Sequence, residues 1–172
     1  MRVFAPSETL DDFSVSFYSD ATVYTSRMLT AIHRRVAEIE RGEYPYVICK
    51  LHSGWLVAGE VQVVPAYCLL LSDPVVGHLN ELQGEMRTHF LADMARIGDA
   101  LIKVTDATRI NYEILGNLEP ALHAHFFPRF DVEAEDVRTK PVWLHDWDKA
   151  PKIDLHRDKN WMESLAMFLS AG

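Results

Sequence analysis

The sequence has few cysteines, and neither stands in a pattern that would cross-link the chain or bind metal. Among the 172 residues the cysteines are Cys49 and Cys68, and each lies inside an apolar run. A disulfide framework or a metal knuckle needs several cysteines at regular spacing, so we expect these two to be small hydrophobic residues in strands. A chain of this length buries roughly 70% of its unfolded surface in a single domain and needs no such staples.

Long apolar runs and an excess of basic charge are also missing. No stretch approaches the roughly 18 apolar residues of a membrane helix, and residues 1–7 lack the apolar centre of a signal peptide. We therefore expect a cytoplasmic protein with no membrane partner. The formal net charge is −8, which leaves no cationic excess to displace the counterions of a nucleic acid. A small phosphate ligand is compatible with this charge, because it needs only a local cluster of donors.

Hydrophobic spacing predicts an α+β domain with a mainly antiparallel sheet. Apolar residues at helical spacing predict one helix over residues 24–40 and a longer helix that follows Asn80. Asn80 and Gln83 resemble a capping box at the start of the long helix. A short helix is predicted over residues 161–169. Apolar runs separated by turn formers predict five strands, over residues 46–51, 55–58, 67–71, 109–115 and 122–127.

Two histidines lie two residues apart on the last predicted strand. In an extended segment His123 and His125 share one face, while Leu122, Ala124 and Phe126 point to the other. Two neighbouring imidazoles can combine a neutral nucleophile with a group that contacts an oxyanion, because imidazole titrates near neutral pH. The spacing alone fits two metal ligands or a half-exposed sheet face equally well.

The sequence around this pair resembles the signature of the histidine triad superfamily. That signature is His-φ-His-φ-His-φ-φ, often followed by Pro-Arg, after a strand that ends in a polar amide and a glycine-containing loop. Residues 111–129 read NYEILGNLEPALHAHFFPR, and the segment 55–71 and the long helix fall where the superfamily has its first hairpin and its core helix. The resemblance covers residues 45–130, and its LGN…PALHAH wording is similar to the diadenosine tetraphosphate hydrolase-like subgroup.

The resemblance implies a domain plan and a fold. Residues 1–44 would form an N-terminal arm and helix, residues 45–130 a histidine triad-like core domain, and residues 131–172 a C-terminal extension. The core would be an antiparallel sheet meander with one long helix. Members of the superfamily usually form two-fold dimers, so a homodimer is expected.

The resemblance also implies a nucleotidyl hydrolase or transferase that cleaves phosphoanhydride or phosphoramidate bonds of nucleotides such as dinucleoside polyphosphates. His123 would attack the α-phosphorus and form a transient nucleotidyl-histidine, which divides one difficult displacement into two easier ones. Its other ring nitrogen would donate to the backbone carbonyl of Ala121. His125 would hydrogen-bond a phosphate oxygen as negative charge develops in the transition state.

Four further substrate-binding residues follow from their positions in the resemblance. Asn111 and Asn117 match amide positions that contact phosphate oxygens, and Glu60 lies where a nucleoside pocket would bind ribose hydroxyls. Tyr67 stands in Pro-Ala-Tyr where many members have Pro-Gly-His. No resident metal is implied, and the one cofactor considered is Mg²⁺ bound with the substrate phosphates.

Two departures from the signature leave an alternative function open. The first triad position is Ala121, so two of the three triad histidines are present. Separately, Tyr67 stands where many members of the superfamily have a further histidine. The nucleophile and its phosphate partner remain. A nucleotide-binding or sensing module that has lost efficient catalysis is the alternative.

A third hypothesis is a metal-dependent enzyme in which His123 and His125 are ligands. It needs another ligand, for which His52 and Glu113 are the candidates. Arg129, at the end of the last predicted strand, is expected at the surface or in a dimer contact.

Overall fold

The chain folds around a five-stranded antiparallel sheet with helices on both faces. The computed structural model describes residues 29–171. The strands, in spatial order β1-β2-β3-β5-β4, are β1 (Val47–Leu51), β2 (Gly54–Ala58), β3 (Cys68–Ser72), β4 (Arg109–Glu113) and β5 (His123–Arg129). The helices are α1 (Ala31–Glu40), α2 (Gly84–Val104), α3 (Glu135–Arg138) and α4 (Leu155–Ser170). The predicted α+β class and antiparallel sheet are confirmed.

One face of the sheet holds the main core. The long helix α2 packs on it, and α4 lies beside α2 and adds Leu165 and Leu169 to the same cluster. On β5 the alternate residues Ala124 and Phe126 point to this face and are fully buried. Because successive side chains of a strand point to opposite faces, this packing directs the histidines of β5 to the other face.

The opposite face is covered by α1 and by residues that follow α3. From the N-terminal side, α1 packs against β2 and β3 through Ile32, Val36, Ile39, Val57 and Leu71. From the C-terminal side, residues after α3 pack on the sheet through Val142, Trp147, Tyr67 and Phe127. The face of the sheet that carries the histidines is therefore covered by α1 and residues 142–147, which lie outside the segment that resembles the triad family.

The predicted strands agree with the structure to within two residues at each end, whereas the helix ends agree less well. The first helix begins at Ala31, because Thr30 caps it by accepting a hydrogen bond from the backbone amide of His33. The predicted residues 24–28 lie outside the described part of the chain.

The predicted capping box is wrong. Leu79–Glu81 forms a separate 3-10 turn, and α2 begins at Gly84 without a side-chain cap. The last helix begins at Leu155 rather than at residue 161, because the carboxylate of Asp154 accepts hydrogen bonds from the first free amides of the helix. None of the helices described in residues 29–171 has the length and apolar character that crossing a bilayer requires.

Candidate active site

β5 places two imidazoles side by side on the covered face, as the alternation predicts. His123 pairs in register with Leu71, and His125 with Leu69. The two ring centroids are 4.7 Å apart and the ring planes are 67° apart. The residues are 6% and 7% exposed, respectively, so both rings are largely removed from water.

The hydrogen bond of His123 determines which of its ring nitrogens carries the proton. Nδ1 lies 2.7 Å from the backbone oxygen of Ala121. A carbonyl oxygen can only accept, so Nδ1 must donate. In the neutral ring Nε2 is then unprotonated, which is the form that a nucleophile requires.

The ring of His125 has a different neighbour. Its Nδ1 lies 2.7 Å from the hydroxyl oxygen of Tyr67. Burial disfavours the charged ring, and His123 adds to this effect, so that the pKa of His125 falls to about 4. Burial likewise raises the pKa of Tyr67 above its usual range. At neutral pH both groups are therefore uncharged.

The second nitrogen of each ring, Nε2, is not used by the bonds described above. Among residues 29–171, no hydrogen bond is made by Nε2 of His123 or by Nε2 of His125. Each ring is therefore anchored through Nδ1 alone.

A pocket of about 270 Å³ lies on the same face of the sheet, beside β3, and neither histidine is among its lining residues. Its wall includes Leu69 and Leu71, which are the cross-strand partners of the two histidines, together with Ile32, Tyr67 and Trp147. Apolar walls of this kind suit a flat ring system, while polar groups at the rim orient it. The pocket therefore lies one strand away from the histidines, on the face of the sheet that they share.

Glu60 lies at the rim of this pocket and is already paired. Its carboxylate accepts a hydrogen bond from the guanidinium of Arg35 on α1, and Tyr44 donates to the same oxygen at 3.4 Å. The guanidinium lies 4.0 Å from the centroid of the Tyr44 ring. The Glu60 carboxylate is therefore already engaged by two side chains of the protein.

The two asparagines are not gathered with the histidines. Asn111 shares the histidine face, because it pairs with Phe127, but its side-chain oxygen accepts a hydrogen bond from Arg129 at 2.9 Å. It lines a separate cleft of about 770 Å³ along the edge of β4, and neither histidine borders that cleft. Asn117 is exposed on the connection between β4 and β5.

Arg129, expected at the surface or in a dimer contact, is not at the surface but buried within the chain. It is 7% exposed, and its guanidinium donates to the carboxylate of Glu133, to Asn111 and to the backbone oxygens of Val137, Arg138 and Lys140. These bonds tie the segment around α3 to the sheet. The charge of Arg129 is used within the protein and is not directed at the histidine pocket.

Two residues that the sequence did not single out also lie beside the histidines. Glu119 accepts hydrogen bonds from the backbone amides of Ala31, at 2.9 Å, and Ala121, at 3.2 Å. Burial opposes its ionisation, but these bonds and the nearby His123 keep its pKa below the usual value. Trp143 packs edge-on against His125, with 5.3 Å between the ring centroids, and donates its indole hydrogen to Glu113. Neither residue lies in a local motif, so a single sequence gave no signal for them.

Residues 29–171 offer no third ligand for the metal hypothesis. His52 lies in the turn between β1 and β2 and contacts His89 of α2, on the side of the sheet opposite His123. Glu113 pairs in register with His125, but its carboxylate is bonded to Trp143. Across residues 29–171, no group of three histidine, cysteine or acidic side chains is arranged to hold a metal ion.

Comparison with known proteins shows which solved structures share this fold. No protein-family model and no curated protein matches the sequence. Solved structures do match. A histidine triad protein from Bradyrhizobium japonicum is 21% identical with a TM-score of 0.66, over 83% of this chain and 99% of that one. A histidine triad protein from Marinobacter aquaeolei VT8 is 16% identical with a TM-score of 0.63, over 84% and 98%.

A more distant structure has the same fold. It is a hypothetical histidine triad nucleotide-binding protein from Sulfolobus tokodaii, 10% identical with a TM-score of 0.61, over 79% of this chain and 91% of that one. At these identities the likeness establishes the fold. The chain has the fold of histidine triad proteins.

Proposed function

We propose that this chain is a nucleotidyl hydrolase or transferase of the histidine triad type, with His123 as its nucleophile. The observation that carries the proposal is the hydrogen bond from Nδ1 of His123 to the carbonyl of Ala121, which in the neutral ring leaves Nε2 without a proton. The neighbouring pocket, the second histidine and the shared fold support it. Dinucleoside polyphosphates are the first substrates to test, since the sequence resembles that subgroup.

The reaction proceeds in two displacements at the α-phosphorus. In the first, Nε2 of His123 bonds to phosphorus as the bond to the leaving group breaks, and the leaving group departs with the electron pair and takes up a proton. In the second, water bonds to phosphorus, the phosphorus–nitrogen bond breaks, and its electron pair returns to Nε2. Water loses a proton, and a nucleoside monophosphate is released.

Several groups stabilise the intermediate state of His123. Once Nε2 is bonded to phosphorus the imidazole carries positive charge, which the carbonyl of Ala121 at Nδ1 and the nearby carboxylate of Glu119 stabilise. His125 faces the non-bridging oxygens. Mg²⁺ would arrive bound to the substrate phosphates, since the described residues provide no cluster of ligands for it.

Replacement of His123 tests the proposal directly. His123→Gln should reduce hydrolysis of diadenosine tetraphosphate by at least about 1,000-fold, because the residual rate then rests on binding and electrostatics alone. Adenosine monophosphate should bind with nearly unchanged affinity in calorimetry. His52→Gln is the matched control, because it removes a histidine from the opposite side of the sheet, and it should leave turnover unchanged.

Covalent trapping provides a second measurement. A brief pulse of substrate labelled at the α-phosphorus should leave acid-labile label on the wild-type protein and none on His123→Gln. Full activity in the His123→Gln protein would rule the mechanism out.

A nucleotide-binding module without efficient catalysis is the second candidate. It is favoured by the burial of both imidazoles, and by the ion pair between Arg35 and Glu60 at the pocket rim. Tight binding of nucleoside monophosphates together with no turnover across dinucleoside polyphosphates and nucleoside phosphoramidates would favour this candidate over the enzyme.

We also propose that the protein is a homodimer joined through β4. This strand lies at the edge of the sheet and pairs with β5 alone among the described strands, so its outer backbone groups are free to extend the sheet of a second copy. Light scattering after size exclusion should give twice the monomer mass, and a monomer mass would contradict the proposal.

A further inference from the structure

We propose that Tyr67 is a positioning residue that holds His125 in the tautomer with its proton on Nε2, so that His125 presents a neutral hydrogen-bond donor to a phosphate oxygen. This inference rests on the proposed function, because it names how the phosphate partner of His123 is prepared. It assigns to Tyr67 a role through His125 and no direct contact with the reacting atoms.

The proton assignment follows from the donors and acceptors around one hydrogen bond. The Tyr67 hydroxyl and Nδ1 of His125 are 2.7 Å apart, and the hydroxyl has no other partner among residues 29–171. If the hydroxyl donates, its hydrogen is satisfied and the ring proton lies on Nε2. If Nδ1 donates instead, a hydroxyl hydrogen in a residue 5% exposed is left without an acceptor. An unsatisfied buried donor is disfavoured by a factor of roughly 5 to 150, so the first arrangement prevails.

The ring of Tyr67 is held from several sides, which fixes the direction of its hydroxyl. It stacks on Phe127 with 4.5 Å between centroids and 12° between planes, and the edge of Trp147 contacts it at 6.0 Å. The backbone of Gly59 passes so close that a Cβ there would lie 2.2 Å from the ring. Ala66, in the left-handed backbone region at φ 61°, sets the direction from which the side chain enters. A donor held this firmly needs little reorganisation when a ligand binds.

The Tyr67 hydroxyl is a neutral donor, whereas a side chain that titrates near neutral pH would change its charge at this position. Burial raises the pKa of Tyr67, so its hydroxyl remains a donor throughout the neutral range. The planes of the two rings are 7° apart, with 6.0 Å between their centroids, and the hydroxyl oxygen lies 2.7 Å from Nδ1. Tyr67 therefore sets the tautomer of His125 without adding charge beside the nucleophile.

Nitrogen NMR of the free full-length protein tests the assignment without any need for activity. In wild-type protein His125 should show a pyridine-like Nδ1 and a pyrrole-like Nε2, its signals being identified by their loss in His125→Gln. Tyr67→Phe keeps the packed ring and removes the hydroxyl, and it should shift His125 to a mixture of tautomers. Tyr112→Phe, which removes a hydroxyl on the opposite face, should leave the His125 signals unchanged.

Turnover measurements extend the test. Tyr67→Phe should lower kcat about 10-fold with a much smaller change in KM, which is less than the roughly 100-fold loss typical of deleting an oxyanion donor outright. Combined with His125→Gln, Tyr67→Phe should cause no further loss, because it acts through that ring.

Three results would overturn the inference: a pyrrole-like Nδ1 in wild-type His125, an unchanged tautomer in Tyr67→Phe, or additive losses in the double variant. The NMR result stands whether or not the protein hydrolyses nucleotides. A protein with the expected tautomer and no turnover would refute the proposed function alone.

Discussion

His123 and His125 have opposite hydrogen-bond partners at Nδ1 although they lie two residues apart on one strand. The first contacts the carbonyl of Ala121, which can only accept, and the second contacts the hydroxyl of Tyr67, which donates. The outward nitrogens are therefore an acceptor and a donor, side by side, with 4.7 Å between the ring centroids. Attack on a phosphate ester needs this combination, a lone pair for phosphorus and a donor for its oxygen.

The buried neutral state of His125 predicts how stability depends on pH. Its pKa is about 4 in the folded protein against an ordinary value of 6.5, so between these values the unfolded chain binds more protons. Stability should therefore fall as pH decreases through this window, by up to roughly 3 kcal/mol at its lower end. Urea unfolding of wild-type protein and His125→Gln across the window measures this contribution. Equal slopes in the two proteins would contradict the assignment.

The bonds of Arg129 predict a large loss on its removal. Arg129→Met leaves the carboxylate of Glu133 without its buried partner, and we expect the free energy of unfolding to fall by about 3 kcal/mol. The segment around α3 should also become sensitive to limited proteolysis. Lys149→Met removes an exposed partner of Asp146 in the same part of the chain and should cost less than about 1 kcal/mol. Similar losses in the two variants would argue against the anchoring role.

The features that the sequence predicted correctly are those set by local periodicity. The alternation of apolar residues predicts all five strands and places His123 and His125 on one face. Apolar residues of these strands face α2, which packs on the other side of the sheet from the histidines. The core helix was predicted for the same reason, although its start at Gly84 was missed. A turn that intervenes between a capping-type residue and the helix cannot be recognised from residue spacing alone.

The features that were missed depend on contacts between distant residues. Arg129 looked like a surface residue because its backbone acceptors lie 8 to 11 residues further along the chain, in and just after the short helix α3. Glu119 joins the loop before β5 to the first amide of α1, a contact across 88 residues of sequence. Tyr67 and His125 are 58 residues apart. Such pairs form only when the sheet and the segments that cover it have assembled, so one sequence does not reveal them.

The contact between Glu119 and α1 predicts a local effect. Glu119→Gln leaves one acceptor oxygen where there were two, and it removes a negative charge from the N-terminal end of the helix, at a cost of about 1 kcal/mol. Hydrogen exchange should accelerate in the first turn of α1, and turnover should fall because charge near His123 is lost. Glu43→Gln alters an exposed ion pair beyond the other end of the same helix and should leave exchange in the first turn unchanged. Unaltered exchange in Glu119→Gln would refute the anchoring role.

The backbone at Ala66 predicts a sharp difference between two substitutions. This buried residue has φ 61°, a left-handed conformation that glycine adopts without strain and that a β-branched residue strongly resists. Ala66→Gly should change the free energy of unfolding by less than about 1 kcal/mol, because relief of strain is offset by the greater freedom of the unfolded chain. Ala66→Val should cost at least about 2 kcal/mol, since strain and overpacking add. Ala66→Val should also displace Tyr67, and nitrogen NMR would then show a mixture of tautomers at His125. If the valine variant is as stable as the glycine variant, this turn does not constrain the site.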